Sequence, residues 1–194
     1  MSDYTPTSAL VVVDVQNDFA DPSGSLFVSG GDDVVAVCNA EIIRALSSGA
    51  LVVYTQDWHP PSTPHFETEG GIWPVHCVAG TRGAELHPRL LVAGPVVRKG
   101  SNGEDGYSGF TMRDPESGET TPTELQGILE TNQIEEVVVV GLAFDVCVKA
   151  TALDAVELGF QTAVLQRASA AVELQAGDSD RTREELAAAG VALR

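Results

Sequence analysis

Short apolar runs recur along the chain at 9–14 (ALVVVD), 50–56 (ALVVYTQ), 94–100 (GPVVRKG), 135–143 (EEVVVVGLA), 160–166 (FQTAVLQ) and 190–194 (GVALR). They are rich in valine and do not alternate with polar residues, which is the pattern of strands buried on both faces. Segments with helical spacing lie between several of them. Residues 33–48 place Val34, Val37, Ile42, Ala45 and Leu46 on one stripe, with Gly49 just past the end as a cap. Residues 123–132 follow Pro122 and read as a shorter helix. Residues 147–158 carry Val148, Ala152, Ala155 and Val156 before Gly159, and residues 178–189 open on Asp and Ser and stop at Gly190.

Strands alternating with helices predict an α/β fold, a three-layer α-β-α sandwich. Its sheet is expected to be mostly parallel and doubly wound, with about six strands. The stretches 57–93 and 100–121 show neither period, and long aperiodic loops in a compact domain usually serve a function. No repeat, low-complexity tract or linker divides the chain, so residues 1–194 are expected to form a single domain.

Composition narrows the function classes. Of the 194 residues 43% are hydrophobic and 20% charged, an ordinary globular balance. The net charge of −17 argues against a nucleic-acid partner, which needs clustered Lys and Arg. No apolar run is long enough to span a membrane, and the N-terminus has no leader pattern, so the expected location is the cytoplasm. Cys38, Cys77 and Cys147 form no paired framework and fit reduced thiols in that compartment. Nothing in the composition specifies oligomeric state; a homo-oligomer stays open.

In open parallel sheets, ligands bind beyond the carboxyl ends of the strands. Asp14, Asp57, Lys99 and Cys147 each follow an apolar run closely. Asp57 and His59 are two residues apart and share a side of an extended chain. His65 comes after a proline-rich excursion, and His76 stands in IWPVHC. One carboxylate and three imidazoles suit a divalent transition metal such as zinc, iron or manganese, although each histidine taken singly reads as a solvated loop residue. His87 lacks such company and reads as structural. Cys147 sits where a buried strand turns into a helix, so the helix dipole is expected to favour thiolate there; a buried structural cysteine is the competing reading. Asp14 reads either as a turn-stabilising residue or as a proton acceptor, and Lys99 as a partner for Asp14 or for developing negative charge. Lys99 is one of only two lysines, against nine arginines.

Taken in order, VVVDVQNDF, QDWHPPSTPHF, WPVHC, VRKG, YSGF and VVGLAFDVCVKATALDA closely resemble the nicotinamidase/pyrazinamidase branch of the isochorismatase-like cysteine hydrolases. The resemblance runs from about Leu10 to Gly159. It implies Cys147 as nucleophile, Asp14 as general base and Lys99 as the third catalytic residue. It implies Asp57, His59, His65 and His76 as ligands of one divalent metal, and a cis peptide between Leu142 and Ala143. The N–H groups of Ala143 and Cys147 would form an oxyanion hole, and Phe19 and Trp73 would flank the flat ring of a small-molecule substrate, nicotinamide. A hydrolase of another small amide and a non-catalytic binding protein on the same scaffold are the competing readings. The metal loop weighs against the first, and an intact Asp14, Lys99 and Cys147 set against the second.

Overall fold

The computed structural model describes residues 4–194. Among the described residues, the chain forms β1 (Ser8–Val13), α1 (Asn17–Ala20), α2 (Gly31–Ser47), β2 (Leu51–Asp57) and β3 (Val96–Lys99). There follow a small hairpin of β4 (Thr111–Arg113) and β5 (Thr120–Pro122), then α3 (Leu125–Thr131) and β6 (Glu136–Leu142). A π-helical turn (Phe144–Val148) leads into α4 (Lys149–Glu157), β7 (Gln161–Ala170), α5 (Asp178–Ala188) and β8 (Ala192–Leu193).

The six strands predicted from the apolar runs form one sheet in the order β3-β2-β1-β6-β7-β8, and every neighbouring pair is parallel. The side-chain alternation of a strand sorts β1 between two cores. Leu10 and Val12 pack with Cys38, Ile42 and Ala45 of α2 on one face. Ala9, Val11 and Val13 pack with Leu125 and Leu129 of α3, Ala152 and Ala155 of α4, and Leu186 of α5 on the other. Truncating a side chain as enclosed as Ile42 to alanine removes about 2–5 kcal/mol of stability. Acidic Asp32 and Asp33 in the first turn of α2 complement its dipole, and Gly49 at φ +75° ends that helix as expected.

Three expectations change in detail. At the sheet edge, β3 is buried on one face only: Val97 and Lys99 point in, Val96 and Arg98 out. The stretch 100–121 is not wholly irregular, since it supplies β4 and the start of β5. The helix predicted from residue 147 begins instead as the π turn at Phe144, and its regular α part starts at Lys149.

The chain winds outward from β1 to β3 and then, in the opposite direction, from β6 to β8. The switch point between β1 and β6 is where such sheets open a crevice. Gly141 lets these strands meet closely: it lies opposite Val13 with φ +110°, and any Cβ there would collide with the Val13 backbone. No helix among the described residues is long and apolar enough to cross a membrane.

Candidate active site

Asp14 follows β1 directly, with its backbone in the left-handed region at φ +48°. A non-glycine residue held there is uncommon and turns its carboxylate sharply off the strand axis. The Thr55 hydroxyl donates to Asp14 Oδ1 at 2.6 Å, and Lys99 Nζ approaches Oδ2 at 2.7 Å. The Lys99 ammonium also donates to Asp57 Oδ1 and to the Gly106 carbonyl, and lies 3.8 Å from Cys147 Sγ. Ligand atoms of Asp14, Asp57 and Cys147 all fall within 4.8 Å of one another. The ends of β1, β2 and β3 and the turn after β6 thus meet as the strand-end rule predicted.

This cluster is buried, with Asp57 and Cys147 reaching the surface only slightly, and burial sets its electrostatics. It pushes Asp14 up to about 6, against the downward pull of Lys99. Burial also pulls Asp57 upward, but Lys99, His59 and His76 outweigh it and hold that carboxyl below its usual range. Lys99 is held firmly charged: burial opposes the charge, and Asp14 and Asp57 more than compensate. The expectation of a thiolate at Cys147 is overturned. Burial drives the thiol well above its ordinary range; Lys99 lowers it less, and Asp14 and Asp57 raise it further. The turn that holds Cys147 is not the first turn of a regular α-helix. The residue is instead enclosed in a π turn beside two carboxylates.

The second cluster is made of histidines. One ring nitrogen each of His59, His65 and His76 lies within 4.8 Å of the others, and all three residues are buried. His65 Nδ1 is 2.7 Å from Asp105 Oδ1, and His76 Nδ1 donates to the Pro74 carbonyl at 2.7 Å. The Nε2 atoms of both are thereby left for another partner, the arrangement typical of metal-binding imidazoles. Burial drives His59 down to about 4, and His76 is lowered by burial against the opposing effect of Asp57. Both therefore keep free lone pairs at neutral pH. Neither ring nitrogen of His59 has a hydrogen-bond partner among the described residues. A buried imidazole without a hydrogen-bond partner, with one ring nitrogen set among those of two further imidazoles, fits a divalent metal.

Asp57 stands between the clusters. Its Oδ1 is engaged by Lys99, while Oδ2 lies 3.9 Å from His59 Nε2. It is closer to the thiol group than to the full histidine set, which it does not join within the same mutual distance. Its backbone is clamped by Gln16: the side-chain amide donates to the Asp57 carbonyl and accepts from the Asp57 N–H, both at 2.8 Å.

Both clusters open on one cleft of about 410 Å³, its solvent-filled mouth included, lined by Phe19, Trp73, Tyr107, Ala143, Val146 and Val172 around Asp57, His65, His76 and Cys147. Phe19 and Trp73 are thus walls of the same space, and Ala143 follows a cis peptide from Leu142. His87, predicted to be structural, stands outside both clusters and accepts from the Arg89 N–H at 3.2 Å. Cys38 and Cys77 are enclosed in the α2-side core. Sequence reasoning missed Gln16, Thr55, Asp105, Tyr107 and Val172, whose parts depend on contacts between distant segments.

Fold and site together define an α/β enzyme with a buried thiol at the switch point of a parallel sheet. The chain belongs to the isochorismatase family: residues 8–191 match the Isochorismatase domain. It is 37% identical to the nicotinamidase of Escherichia coli (strain K12), over 97% of this chain and 94% of that one. Among solved structures it is similar to the pyrazinamidase of Pyrococcus horikoshii in complex with zinc (37% identity, TM-score 0.86, covering 97% and 99% of the two chains). It is also similar to PnC1 from L. infantum in complex with nicotinate (38% identity, TM-score 0.88, covering 100% and 95%).

Proposed function

We propose that this protein is a nicotinamidase, hydrolysing nicotinamide to nicotinate and ammonia, and pyrazinamide to pyrazinoate, through a thioester on Cys147. The observation that carries the reading is the single carboxylate of Asp57, which faces a thiol cluster and a metal-donor cluster on the wall of one cleft. A nicotinamidase relative and a neighbour holding nicotinate support the same substrate.

In this mechanism the resting thiol is protonated and Asp14 is the base. Asp14 takes the thiol proton, and Sγ attacks the carboxamide carbon as the carbonyl π pair moves onto oxygen. The charge of Lys99, 3.8 Å from Sγ, stabilises the thiolate as it forms. The oxyanion is received by the N–H groups of Ala143 and Cys147; donors of this kind are worth about 10²–10³ in rate each. Protonated Asp14 then passes its proton to the amide nitrogen, and ammonia leaves. A water molecule, deprotonated by Asp14, attacks the thioester carbon; the acid is released and Cys147 regains its proton from Asp14. General acid–base work of this kind contributes about 10²–10⁴.

Phe19 and Trp73 hold the ring between them, so that the carboxamide reaches Sγ. His59, His65 and His76, with Asp57 beside them, are the residues that would hold the ion. Their imidazole-rich set selects a transition ion such as zinc, iron or manganese over magnesium or calcium. When bound, that ion supplies a positive anchor for the lone pair of a ring nitrogen. The enzyme works on a small molecule in aqueous solution, in the cytoplasm.

The test is ammonia release from nicotinamide before and after treatment with a strong chelator. The expected result is turnover that falls on chelation and returns with a stoichiometric divalent ion. Absence of ammonia release from the fully loaded protein would overturn the assignment.

A further inference from the structure

Residues 105–107 lie in the stretch where the sequence has no periodicity, yet three consecutive residues reach three different parts of the site. Asp105 Oδ1 is 2.7 Å from His65 Nδ1. The Gly106 carbonyl accepts from the Lys99 ammonium, and a Cβ at this glycine would stand 3.1 Å from Asp57 Oδ1. The Tyr107 hydroxyl accepts from Trp73 Nε1 at 2.9 Å. The segment is braced from behind. Asp105 and Arg113 exchange backbone hydrogen bonds of 2.7 and 3.0 Å, which ties the segment to the β4–β5 hairpin. Just upstream, the Thr63 hydroxyl donates to the Gly103 carbonyl at 2.7 Å and accepts from the His65 N–H at 3.3 Å.

The three histidines are not supported alike. His76 leans on a backbone carbonyl, and His59 has no hydrogen-bond partner among the described residues. Only His65 of the three has a carboxylate on its Nδ1. A carboxylate at this position keeps the proton on Nδ1, fixes the ring's rotation and strengthens the donor at Nε2.

We propose that Asp105 is a positioning residue for the metal donors, presenting His65 Nε2 to the shared centre, and that the hairpin-braced 105–107 segment holds this donor in register with Lys99 and Trp73. The proposal rests on reading His59, His65 and His76 as metal donors. Its effect is exerted on metal affinity first and on turnover only through it. The Arg113 side chain, largely exposed and 3.8 Å from Asp105 Oδ2, contributes little; the backbone pairing does the bracing.

Cobalt(II) is the probe, because its ligand-field absorption reports the donor set directly. The dissociation constant of cobalt(II) is measured by chelator competition for the wild type and for Asp105→Ala, Asp105→Asn, Arg113→Ala and His65→Ala, with the melting temperature of each metal-free protein as a check on folding. Asp105→Ala is expected to bind about 10- to 100-fold more weakly, with an altered spectrum. Asp105→Asn, which keeps an acceptor for Nδ1–H and the shape of the side chain but loses the charge, is expected to bind about tenfold more weakly. Arg113→Ala is expected to match the wild type. Both Asp105 variants binding cobalt(II) with wild-type affinity and spectrum, while His65→Ala does not, would overturn the role of Asp105 and leave the metal site standing. Should Asp105→Ala fail to fold, Asp105→Asn alone decides on the same criterion. Failure of the wild type to take up cobalt(II) would overturn the metal reading itself, and the proposal with it.

Discussion

The two clusters at the carboxyl edge of the sheet are built on opposite electrostatic plans. Around Cys147, two carboxylates and one ammonium are packed together in the protein interior, and Lys99 contacts both carboxylates and the Gly106 carbonyl. A buried charge is tolerable only when paired in this way. Around His59 no ammonium or guanidinium completes the group: burial holds that imidazole neutral, and its two ring nitrogens have no partner among the described residues. The first cluster pairs its charges within the protein, one ammonium against two carboxylates, whereas the second offers nitrogen lone pairs to a cation from outside. Chemistry that moves protons belongs to the first, and affinity for a lone pair to the second.

Three perturbations separate these plans. The largest effect is expected from Cys147→Ala, which should abolish ammonia release from nicotinamide while the bound metal per chain, read by elemental analysis, stays at the wild-type value. Residual turnover near wild type would end the thiol mechanism. Next comes His59→Ala, which removes a donor from the second cluster only. It should lower metal content below one ion per chain and raise KM for nicotinamide, and unchanged stoichiometry would remove His59 from the donor set.

The smallest and most diagnostic effect concerns pH. Asp14 must be ionised to accept the thiol proton, and burial places its pKa at about 6. Activity should therefore be full above that value and fall as pH drops through it. Thr55→Val deletes the 2.6 Å hydrogen bond that favours the ionised form, so the acid limb of kcat/KM should move to higher pH with metal content unchanged. An acid limb that stays in place would argue that another group is the base.

Much of this was legible in the sequence because the information was local. The valine runs announced buried parallel strands, and a charged or nucleophilic residue just after each run marked the sheet edge. What remained hidden was set by tertiary contact. Asp105 and Tyr107 lie in a segment without periodicity, and only the folded chain brings them against His65 and Trp73. Gln16 reads as an ordinary polar residue after a strand, but its amide substitutes for a missing backbone partner of Asp57. The short hairpin escaped notice because TMR and TTP carry no apolar pattern. The thiolate expectation failed because burial and the two neighbouring carboxylates raise the Cys147 thiol more than Lys99 lowers it.

The shared carboxylate of Asp57 has a consequence for anyone wishing to repurpose this scaffold. With one oxygen held by Lys99 and the other turned toward His59, it is the joint between a reaction module and a recognition module. Exchanging the recognition module for one suited to a different ring therefore disturbs the charge balance of Lys99 and Asp14, three strands' width from β1 to β3. A library that touches His59, His76 or Asp57 is accordingly screened for thiol chemistry as well as for metal content.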